Sequence, residues 1–383
     1  MMTIGVPVKK LSRRGLMKYI GAGAGFAAAT ACAAPYAVPY ARANLTGPSR
    51  VSDVEDLAPL RSAASLRGRR FGAAVATRYL DNDSSFRNLV LRECDIIVPE
   101  WEMKWYSVEK RPGSYDFSTC DRLAAFAAEN GKELRGTTVV WHMGLPDWAK
   151  SELKEPGGWD LALKYMNTVM SRYAQVKSWD VVNEAVEPFN GRPDGLRESP
   201  WLDAFGPSYI ADSFKMAEEI APNTQLVYND YGTEHDATWN RNRRTAILRL
   251  IEQVRSAGGR IDALGLQAHL RLGDPWNPNS FAAFLREVED LGILPIITEL
   301  DVRADRLLGD EATVDGKVAD MYTSFLETVF ENSRCDTVIT WGLTDKYSFH
   351  RRRNARDRPL PFDENYRPKK AAGAILQALR DEK

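Results

Sequence analysis

Short apolar runs alternate along the chain with longer amphipathic segments. Eight of the apolar runs have the length of buried strands, and most of them end in polar or charged residues. The predicted strands are FGAAVA (71–76), DIIVPE (95–100), LRGTTVVW (134–141), SWDVVNEA (178–185), QLVYND (225–230), ALGLQAH (263–269), PIITELDV (295–302) and TVITWGLTD (337–345). The intervening segments have helical periodicity, and Gly131, Gly258 and Gly292 stand where such helices are expected to end.

Eight strand–helix units predict an α/β fold of the (β/α)8 TIM-barrel type. No internal repeat, low-complexity segment or linker indicates a second domain, so residues 71–383 are predicted to form a single barrel domain. Residues 44–70 carry polar, proline and glycine signals and are interpreted as an N-terminal lead-in. In a barrel of this type, polar residues at the carboxyl ends of the strands converge on one face, where active sites lie.

The first 43 residues have the composition of an export signal. A basic stretch, KKLSRRGLMK, precedes a weakly apolar run, YIGAGAGFAAATACAA, and a small-x-small cleavage site at 41–43. The SRRGLMK segment resembles a twin-arginine export signal, with an ordinary basic leader as the alternative and lipidation at Cys32 as a minor one. The apolar run is shorter than the ~18 residues that a spanning helix needs. We therefore expect export to the periplasm or the medium, without a membrane anchor after cleavage.

Composition and charge exclude several classes of partner and site. The chain has 383 residues, 44% of them hydrophobic, and a formal net charge of −1, which gives no indication of a nucleic-acid partner. Three cysteines follow the leader, Cys94, Cys120 and Cys335. Their odd number and their spacing argue against a disulfide framework or a zinc site, so we expect them to be buried as small apolar residues.

Polar and aromatic side chains cluster at the predicted strand ends. They are Glu100, Lys104, Trp141, His142, Asn183, Glu184, Asn229, Asp230, Gln267, His269, Glu299, Asp301, Trp341 and Asp345. Glu184 and Glu299 follow or end apolar strands on different sides of the barrel, where they can face each other across its mouth. Two carboxyl groups about 5 Å apart cleave glycosidic bonds with retention, one as acid and the other as nucleophile. The alternative is that each carboxylate only caps a strand or pairs with an arginine.

Two of these strand ends resemble the catalytic motifs of a known family. WDVVNEA (179–185) and ITELDV (297–302) are similar to the acid/base and nucleophile motifs of the glycoside hydrolase family 10 endo-β-1,4-xylanases. Further matching motifs are EMKW (102–105), RGTTVVWHMGLPDW (135–148), YNDYG (228–232), GLQAHL (265–270), WGLTDKYS (341–348) and RPLPFDENYRPKKA (358–371). They occur in the family's order over roughly residues 70 to 378. The resemblance implies a retaining hydrolase of xylan-type polysaccharide or oligosaccharide.

The resemblance also implies roles for individual residues. Glu299 would be the nucleophile and Glu184 the acid/base, whose pKa should be raised at rest. Asn183 would bind the sugar 2-OH, while His269 would hold Glu299 with Asp301 behind it. The other expected substrate-binding residues are Glu100, Lys104, His142 and Gln267 around the glycone, with Trp148 and Trp341 as sugar platforms; Tyr231 and Trp101 would support the site. No cofactor or metal is expected, and the protein is expected to be a monomer.

Several positions depart from the family pattern, and they cluster in the groups that contact sugar. Trp101 replaces an expected Asn, and Met143 and Gly144 replace Ser and Gln. The remaining departures are Thr137 for His, Gly232 for Asn and Phe349 for a cleft Trp. The catalytic pair is thus kept while the glycone-binding residues change. This pattern leaves open decorated xylan, β-glucan or oligosaccharides as substrates, or glycosyl transfer; the alternative from another class is a non-catalytic carbohydrate-binding barrel.

Overall fold

A computed structural model describes residues 57–307, 309–351 and 357–381 of the chain. The predicted export signal over 1–43 and most of the predicted lead-in lie outside these ranges. Within the described part, none of the helices combines the length and the apolarity that crossing a membrane requires.

Eight parallel strands form a closed barrel. They are β1 (Arg70–Val75), β2 (Ile96–Pro99), β3 (Glu133–Gly136), β4 (Ser178–Asn183), β5 (Gln225–Asp230), β6 (Ala263–Leu266), β7 (Leu294–Arg303) and β8 (Thr337–Thr340). Each strand pairs with the next in sequence, and β8 returns to β1 through the pair Phe71 and Val338. Two short pieces, Val140–Trp141 and His269–Arg271, continue β3 and β6, and a small hairpin of Glu109–Arg111 and Ser114–Tyr115 follows β2. The predicted (β/α)8 TIM barrel is confirmed.

Helices connect the strands around the outside of the barrel. They are α1 (Leu60–Ser65), α2 (Thr77–Asn82), α3 (Ser84–Glu93), α4 (Trp105–Val108), α5 (Ser118–Glu129), α6 (Asp147–Glu152), α7 (Gly158–Arg172), α8 (Pro200–Phe205), α9 (Tyr209–Ile220), α10 (Thr238–Ser256), α11 (Pro278–Asp290), α12 (Glu311–Asn332) and α13 (Lys370–Arg380). Two 3₁₀ turns, Pro188–Asn190 and Asp345–Tyr347, lie after β4 and β8. Both turns follow strand ends, and so belong to the face where the polar residues converge.

The end of the predicted lead-in belongs to the barrel. Helix α1 buries Leu60, Ala63 and Ala64, and the backbone N–H of Leu60 donates to Glu93 Oε2 at 2.8 Å. Strand β1 then begins at Arg70. The predicted lead-in over 44–70 thus contains a helix that its sequence did not indicate, because a helix of only 6 residues is too short to show clear periodicity.

Six predicted strands end early at their carboxyl ends in the structure: β1, β2 and β4 end at Val75, Pro99 and Asn183, one or two residues before the predicted ends at 76, 100 and 185, and β3, β6 and β8 are cut further. Strand β3 stops at Gly136, although the prediction ran to 141, and β8 stops at Thr340 instead of 345. Strand β6 stops at Leu266, and the positive φ of Ala268 (55°) separates it from its continuation. The chain leaves regular strand geometry where polar and aromatic side chains meet the barrel mouth.

A buried ion pair lies among the apolar side chains of the core, between strands β3 and β4. Arg135 on β3 donates to both carboxylate oxygens of Asp180 on β4, with 2.8 Å between Nη1 and Oδ2. Both side chains are almost fully buried, so removing one partner would leave an uncompensated charge in the barrel. The three described cysteines are free and buried, as predicted.

Candidate active site

Amide side chains link the two candidate catalytic carboxylates at the barrel mouth. Gln267 Nε2 donates to Glu184 Oε1 at 3.0 Å and to Asn183 Oδ1 at 3.3 Å. From the other side, Asn229 Nδ2 donates to Asn183 Oδ1 and to Glu299 Oε1, both at 2.8 Å. We call Gln267, Asn183 and Asn229 the amide chain. It joins residues of β4, β5 and β7 and the residue that follows β6 into one hydrogen-bonded cluster.

Asn229 is the member of the amide chain for which sequence reasoning assigned no role. Its side chain is fully buried, and its Oδ1 accepts from Thr298 Oγ1 at 2.7 Å. Gly265 lies beside it in the strand register, and a Cβ there would stand 2.2 Å from Asn229 Oδ1. Gly265 therefore makes room for the amide. An Asn in an otherwise apolar strand was the available signal.

The nucleophile candidate receives a hydrogen bond on each oxygen. Glu299 Oε2 lies 3.2 Å from His269 Nε2, and His269 Nδ1 lies 3.0 Å from Asp301 Oδ2. Burial lowers the pKa of His269, but the charge of Asp301 and the hydrogen bonds to both carboxylates outweigh it, so that this pKa is raised well above its usual range. The imidazole can therefore carry both protons and donate in both directions. The contacts expected of His269 and Asp301 are present.

A second histidine extends this cluster. His350 Nε2 lies 3.0 Å from Asp301 Oδ2, and its buried ring packs 3.8 Å from the ring of Phe349. Burial raises the pKa of Asp301, but His350 and His269 together hold it well below its usual range. In the described part of the chain, His269, Asp301 and His350 also form the one group with the spacing of metal ligands. Because both imidazoles already hydrogen-bond the carboxylate, a metal-free cluster explains the geometry.

Glu184 occupies an unusual backbone position. Its φ is +57°, a left-handed conformation that non-glycine residues rarely adopt. Two hydrogen bonds fix the peptide groups around it: its N–H donates to Asn229 O at 2.9 Å, and its carbonyl accepts from Arg197 Nε at 2.7 Å. The strained residue is thus held by its surroundings, as is common for functional groups.

The pKa of Glu184 departs from expectation. Burial raises it, but the charges of His142 and Arg197 and the hydrogen bond from Gln267 outweigh burial, so that the pKa is lowered. The prediction of a raised resting pKa is wrong for the cleft without sugar. Burial also lowers the pKa of His142 to about 4, so at neutral pH Arg197 supplies the nearby positive charge. No motif in the sequence placed Arg197 beside Glu184.

A network of ion pairs supports the loop after β4. Tyr231 accepts from Arg197 Nη2 at 2.8 Å and donates to Glu187 Oε2 at 2.9 Å. The fully buried Arg243 donates to Val186 O at 2.6 Å and pairs with Glu187 Oε2 at 3.0 Å. Tyr231 therefore holds the segment that carries Glu184 through Arg197 and Glu187.

Comparison with known proteins adds an independent line of evidence. The sequence profile described as "Glycosyl hydrolase family 10" matches residues 59–378. The chain belongs to this family. It is therefore a glycoside hydrolase.

This family 10 hydrolase has characterised relatives of similar length. It is 31% identical over 336 residues to endo-1,4-beta-xylanase B of Thermotoga neapolitana, covering 84% of this chain and 92% of that protein. It is 33% identical over 309 residues to endo-1,4-beta-xylanase A of Fusarium oxysporum f. sp. lycopersici, covering 76% and 88%. Xylanase 10B from Thermotoga petrophila RKU-1, solved in complex with xylobiose, superimposes with a TM-score of 0.75 at 30% identity, covering 86% of this chain and 98% of that one.

On the opposite side of the mouth, the family 10 hydrolase holds a buried lysine between two indoles. Lys104 Nζ donates to Glu100 O at 2.6 Å and lies 5.5 Å and 5.7 Å from the ring centroids of Trp141 and Trp341. Burial lowers the pKa of Lys104, although the charge of Glu299 opposes the shift. Glu100, Lys104 and Trp341 therefore lie together on this side of the mouth.

Two predicted tryptophans have different surroundings. The indole N–H of Trp148 donates to Glu109 O at 3.1 Å, and its ring meets Trp105 edge-on at 6.0 Å. These contacts favour packing over a role as a sugar platform. Trp101 is half-buried beside Glu100, and among the described residues its buried indole nitrogen has no hydrogen-bond partner. Its part in substrate binding stays a prediction.

Proposed function

We propose that this chain is a retaining endo-β-1,4-xylanase, with Glu184 as general acid/base and Glu299 as nucleophile. The observation that carries the proposal is the amide chain, which joins the carboxylate after β4 to the carboxylate in β7. Two linked carboxyl groups in a barrel mouth are the arrangement that glycosidic cleavage uses. The named relatives, which are endo-1,4-beta-xylanases, support the assignment of xylan as substrate.

The reaction follows in two balanced steps. In the first step, Glu299 attacks the anomeric carbon while Glu184 gives its proton to the leaving oxygen, so that the glycosidic bond breaks and a glycosyl ester forms. In the second step, Glu184 takes a proton from water, the water oxygen attacks the anomeric carbon, and the ester bond to Glu299 breaks. His269 and Asn229 hold the two oxygens of the nucleophile in place. Two inversions give net retention.

The lowered pKa of Glu184 sets a condition on the first step. Arg197 and Gln267 favour the ionised form while the cleft is open to water. A sugar that displaces water from Glu184 removes solvation from its charged form and raises its pKa. Glu184 thus becomes an effective acid when substrate is bound.

We also propose that the glycone subsites differ from those of ordinary xylanases. Trp101, Thr137 and Phe349 replace residues that the family uses to contact sugar, and Phe349 packs against His350. Decorated xylan, mixed-linkage glucan or short oligosaccharides are therefore the second candidate class of substrate. The basic leader within residues 1–43 supports export by the twin-arginine route as part of the same proposal.

Hydrolysis of an aryl β-xylobioside tests the proposed reaction. The parent enzyme should release the chromophore, and NMR should detect the β-anomer as the first sugar product. Glu299→Ala should lose at least about three orders of magnitude in kcat, since the nucleophile is absent. Glu252→Ala, on the exposed side of α10, is the matched control and should keep full activity. A Glu299→Ala variant as active as the parent would remove the nucleophile assignment, and xylan binding without chromophore release would favour the non-catalytic barrel.

A further inference from the structure

A buried carboxylate contacts the segment that carries Gln267 and His269. Glu234, in the segment after β5, is only 1% exposed, and its Oε1 accepts from the backbone N–H of Ala268 at 3.0 Å. Ala268 lies between Gln267 and His269 in the sequence and has a left-handed φ of +55°. One carboxylate oxygen therefore holds the residue that separates two side chains of the candidate site.

The conformation of Ala268 coincides with a change in how the chain pairs with β7. Before it, Leu266 pairs with Ile297, and after it, His269 pairs with Asp301, so β7 contains one residue more between the two pairs than the facing segment does. The shifted pairing sets the imidazole of His269 beside Asp301. A left-handed φ is unfavourable for a residue with a Cβ and persists only where the surroundings fix it.

Arg244 on α10 fixes the segment that carries Glu234. Its guanidinium donates to the carbonyl oxygens of Thr233, Glu234 and His235 at 2.6, 3.0 and 2.7 Å. His235 Nε2 in turn accepts from the backbone N–H of Arg271 at 3.2 Å. The segment after β5 is thus anchored to a helix, and it holds the segment after β6 at two backbone N–H groups.

Loss of the Glu234 acceptor would have a specific consequence for the backbone. Ala268 is fully buried, so its N–H would lose a partner that water cannot replace. Rotation of the peptide group between Gln267 and Ala268 would relieve this loss and the left-handed φ together. The same rotation would displace the side chains of Gln267 and His269.

We propose that Glu234 is a positioning residue, whose hydrogen bond to Ala268 directs one neighbouring side chain to each candidate catalytic carboxylate. Gln267 is thereby held against the acid/base and His269 against the nucleophile. The inference rests on the proposed function and adds a residue that acts through the backbone. A single buried acceptor sets the positions of both side chains, so its loss affects both steps of the reaction.

Variants at Glu234 separate the hydrogen bond from bulk and charge. Glu234→Leu removes the acceptor and should lower kcat on an aryl β-xylobioside about 30-fold, the order of one lost hydrogen bond to a charged group, with KM within about threefold of the parental value. Glu234→Gln keeps an oxygen acceptor and should restore kcat. Thr233→Val is the matched control, because the buried Thr233 Oγ1 has no partner among the described residues, and should leave kcat unchanged.

Two further readouts separate positioning from a general loss of stability. The hydrogen bond from Gln267 helps to lower the pKa of Glu184, so the alkaline limb of kcat/KM should move to higher pH in Glu234→Leu and stay in place in Glu234→Gln. The imidazole N–H proton of His269, assigned through its loss in His269→Asn, should change its NMR shift in Glu234→Leu and keep it in Glu234→Gln.

The possible results discriminate between the positioning role and the proposed reaction. A folded Glu234→Leu variant with the parental kcat, pH limb and His269 signal would overturn the positioning role and leave the proposed reaction intact. If Glu234→Leu does not fold, Glu234→Asp, which withdraws the acceptor by one methylene, replaces it, and parental values there would overturn the role. If the parent enzyme fails on the aryl β-xylobioside while the His269 signal still shifts in Glu234→Leu, the proposed reaction fails and the positioning stands.

Discussion

Asn229→Ala is the most direct test of the amide chain. The parental side chain is fully buried and makes three hydrogen bonds: it donates to Asn183 and Glu299 and accepts from Thr298. Alanine removes all of them and leaves Glu299 Oε1 without its amide donor. The nucleophile should then adopt more than one orientation, with only His269 left to hold it.

The expected loss can be worked from these contacts. A hydrogen bond to a charged group contributes about 1.5–3 kcal/mol, and a neutral one about 1 kcal/mol. The bonds to Glu299 and Asn183 both act on the reacting groups, which gives a loss of about 2–4 kcal/mol in transition-state stabilisation. This corresponds to a fall in kcat/KM of roughly 30-fold to 1,000-fold. The free energy of unfolding should also fall, since Thr298 loses its acceptor in the core.

The assay is kcat/KM on an aryl β-xylobioside, measured beside the free energy of unfolding in urea. Thr298→Val is the matched control, because it removes a hydrogen bond from the far side of Asn229 and leaves the donors to Glu299 in place. Gly265→Ala should reproduce part of the defect, since its Cβ would collide with Asn229 Oδ1. A folded Asn229→Ala enzyme within threefold of the parental kcat/KM would refute the positioning role.

Three further predictions concern pH and specificity. The pKa of His142 is about 4 in the folded protein and about 6.5 in the unfolded chain, so the stability that the neutral imidazole contributes is complete above pH 6.5 and is lost as the pH falls toward 4. His142→Gln should therefore flatten the dependence of the free energy of unfolding in urea on pH between about pH 4.5 and 7. Arg197→Met should raise the pKa of Glu184 and move the alkaline limb of kcat/KM to higher pH, and Arg197→Lys should move it less; coincident limbs would contradict the electrostatic role of Arg197. Trp101→Asn should raise the kcat/KM on plain xylan relative to decorated xylan, and an unchanged ratio would assign Trp101 to wall packing.

The sequence was sufficient for the barrel and for the identity of the strand-end residues. Apolar runs that end in Glu184, Gln267 or Glu299 can be recognised because the strand period and the abrupt change to polar residues are both local signals. The motifs around these residues then matched those of the family in the same order along the chain. The structure places these residues together, as a closed parallel barrel requires.

The parts that escaped prediction depend on contacts between distant segments. Arg197 lies in an irregular loop, and only the folded chain brings its guanidinium to the carbonyl of Glu184 and so lowers that pKa. His350 lies after β8 in the sequence, and nothing local shows that it meets Asp301. Helix α1 is too short for its periodicity to stand out from the lead-in.

The amide chain makes the two candidate catalytic carboxylates unequal as targets for isosteric replacement. Both neighbours of Glu299, the amide of Asn229 and the imidazole of His269, present donors, so a glutamine at 299 fits only if its NH₂ group faces His269 and this imidazole gives up its Nε2 proton. Glu184 instead accepts at Oε1 from Gln267 and Asn183, and the indole of Trp141 is a further donor near this carboxylate. A glutamine at 184 can keep a carbonyl oxygen in the position of Oε1, where it accepts from Gln267 and Asn183. To trap a well-ordered substrate complex, the acid/base candidate Glu184 is best replaced by glutamine. To obtain a variant that couples sugars, the nucleophile candidate Glu299 is best replaced by a residue with a small side chain.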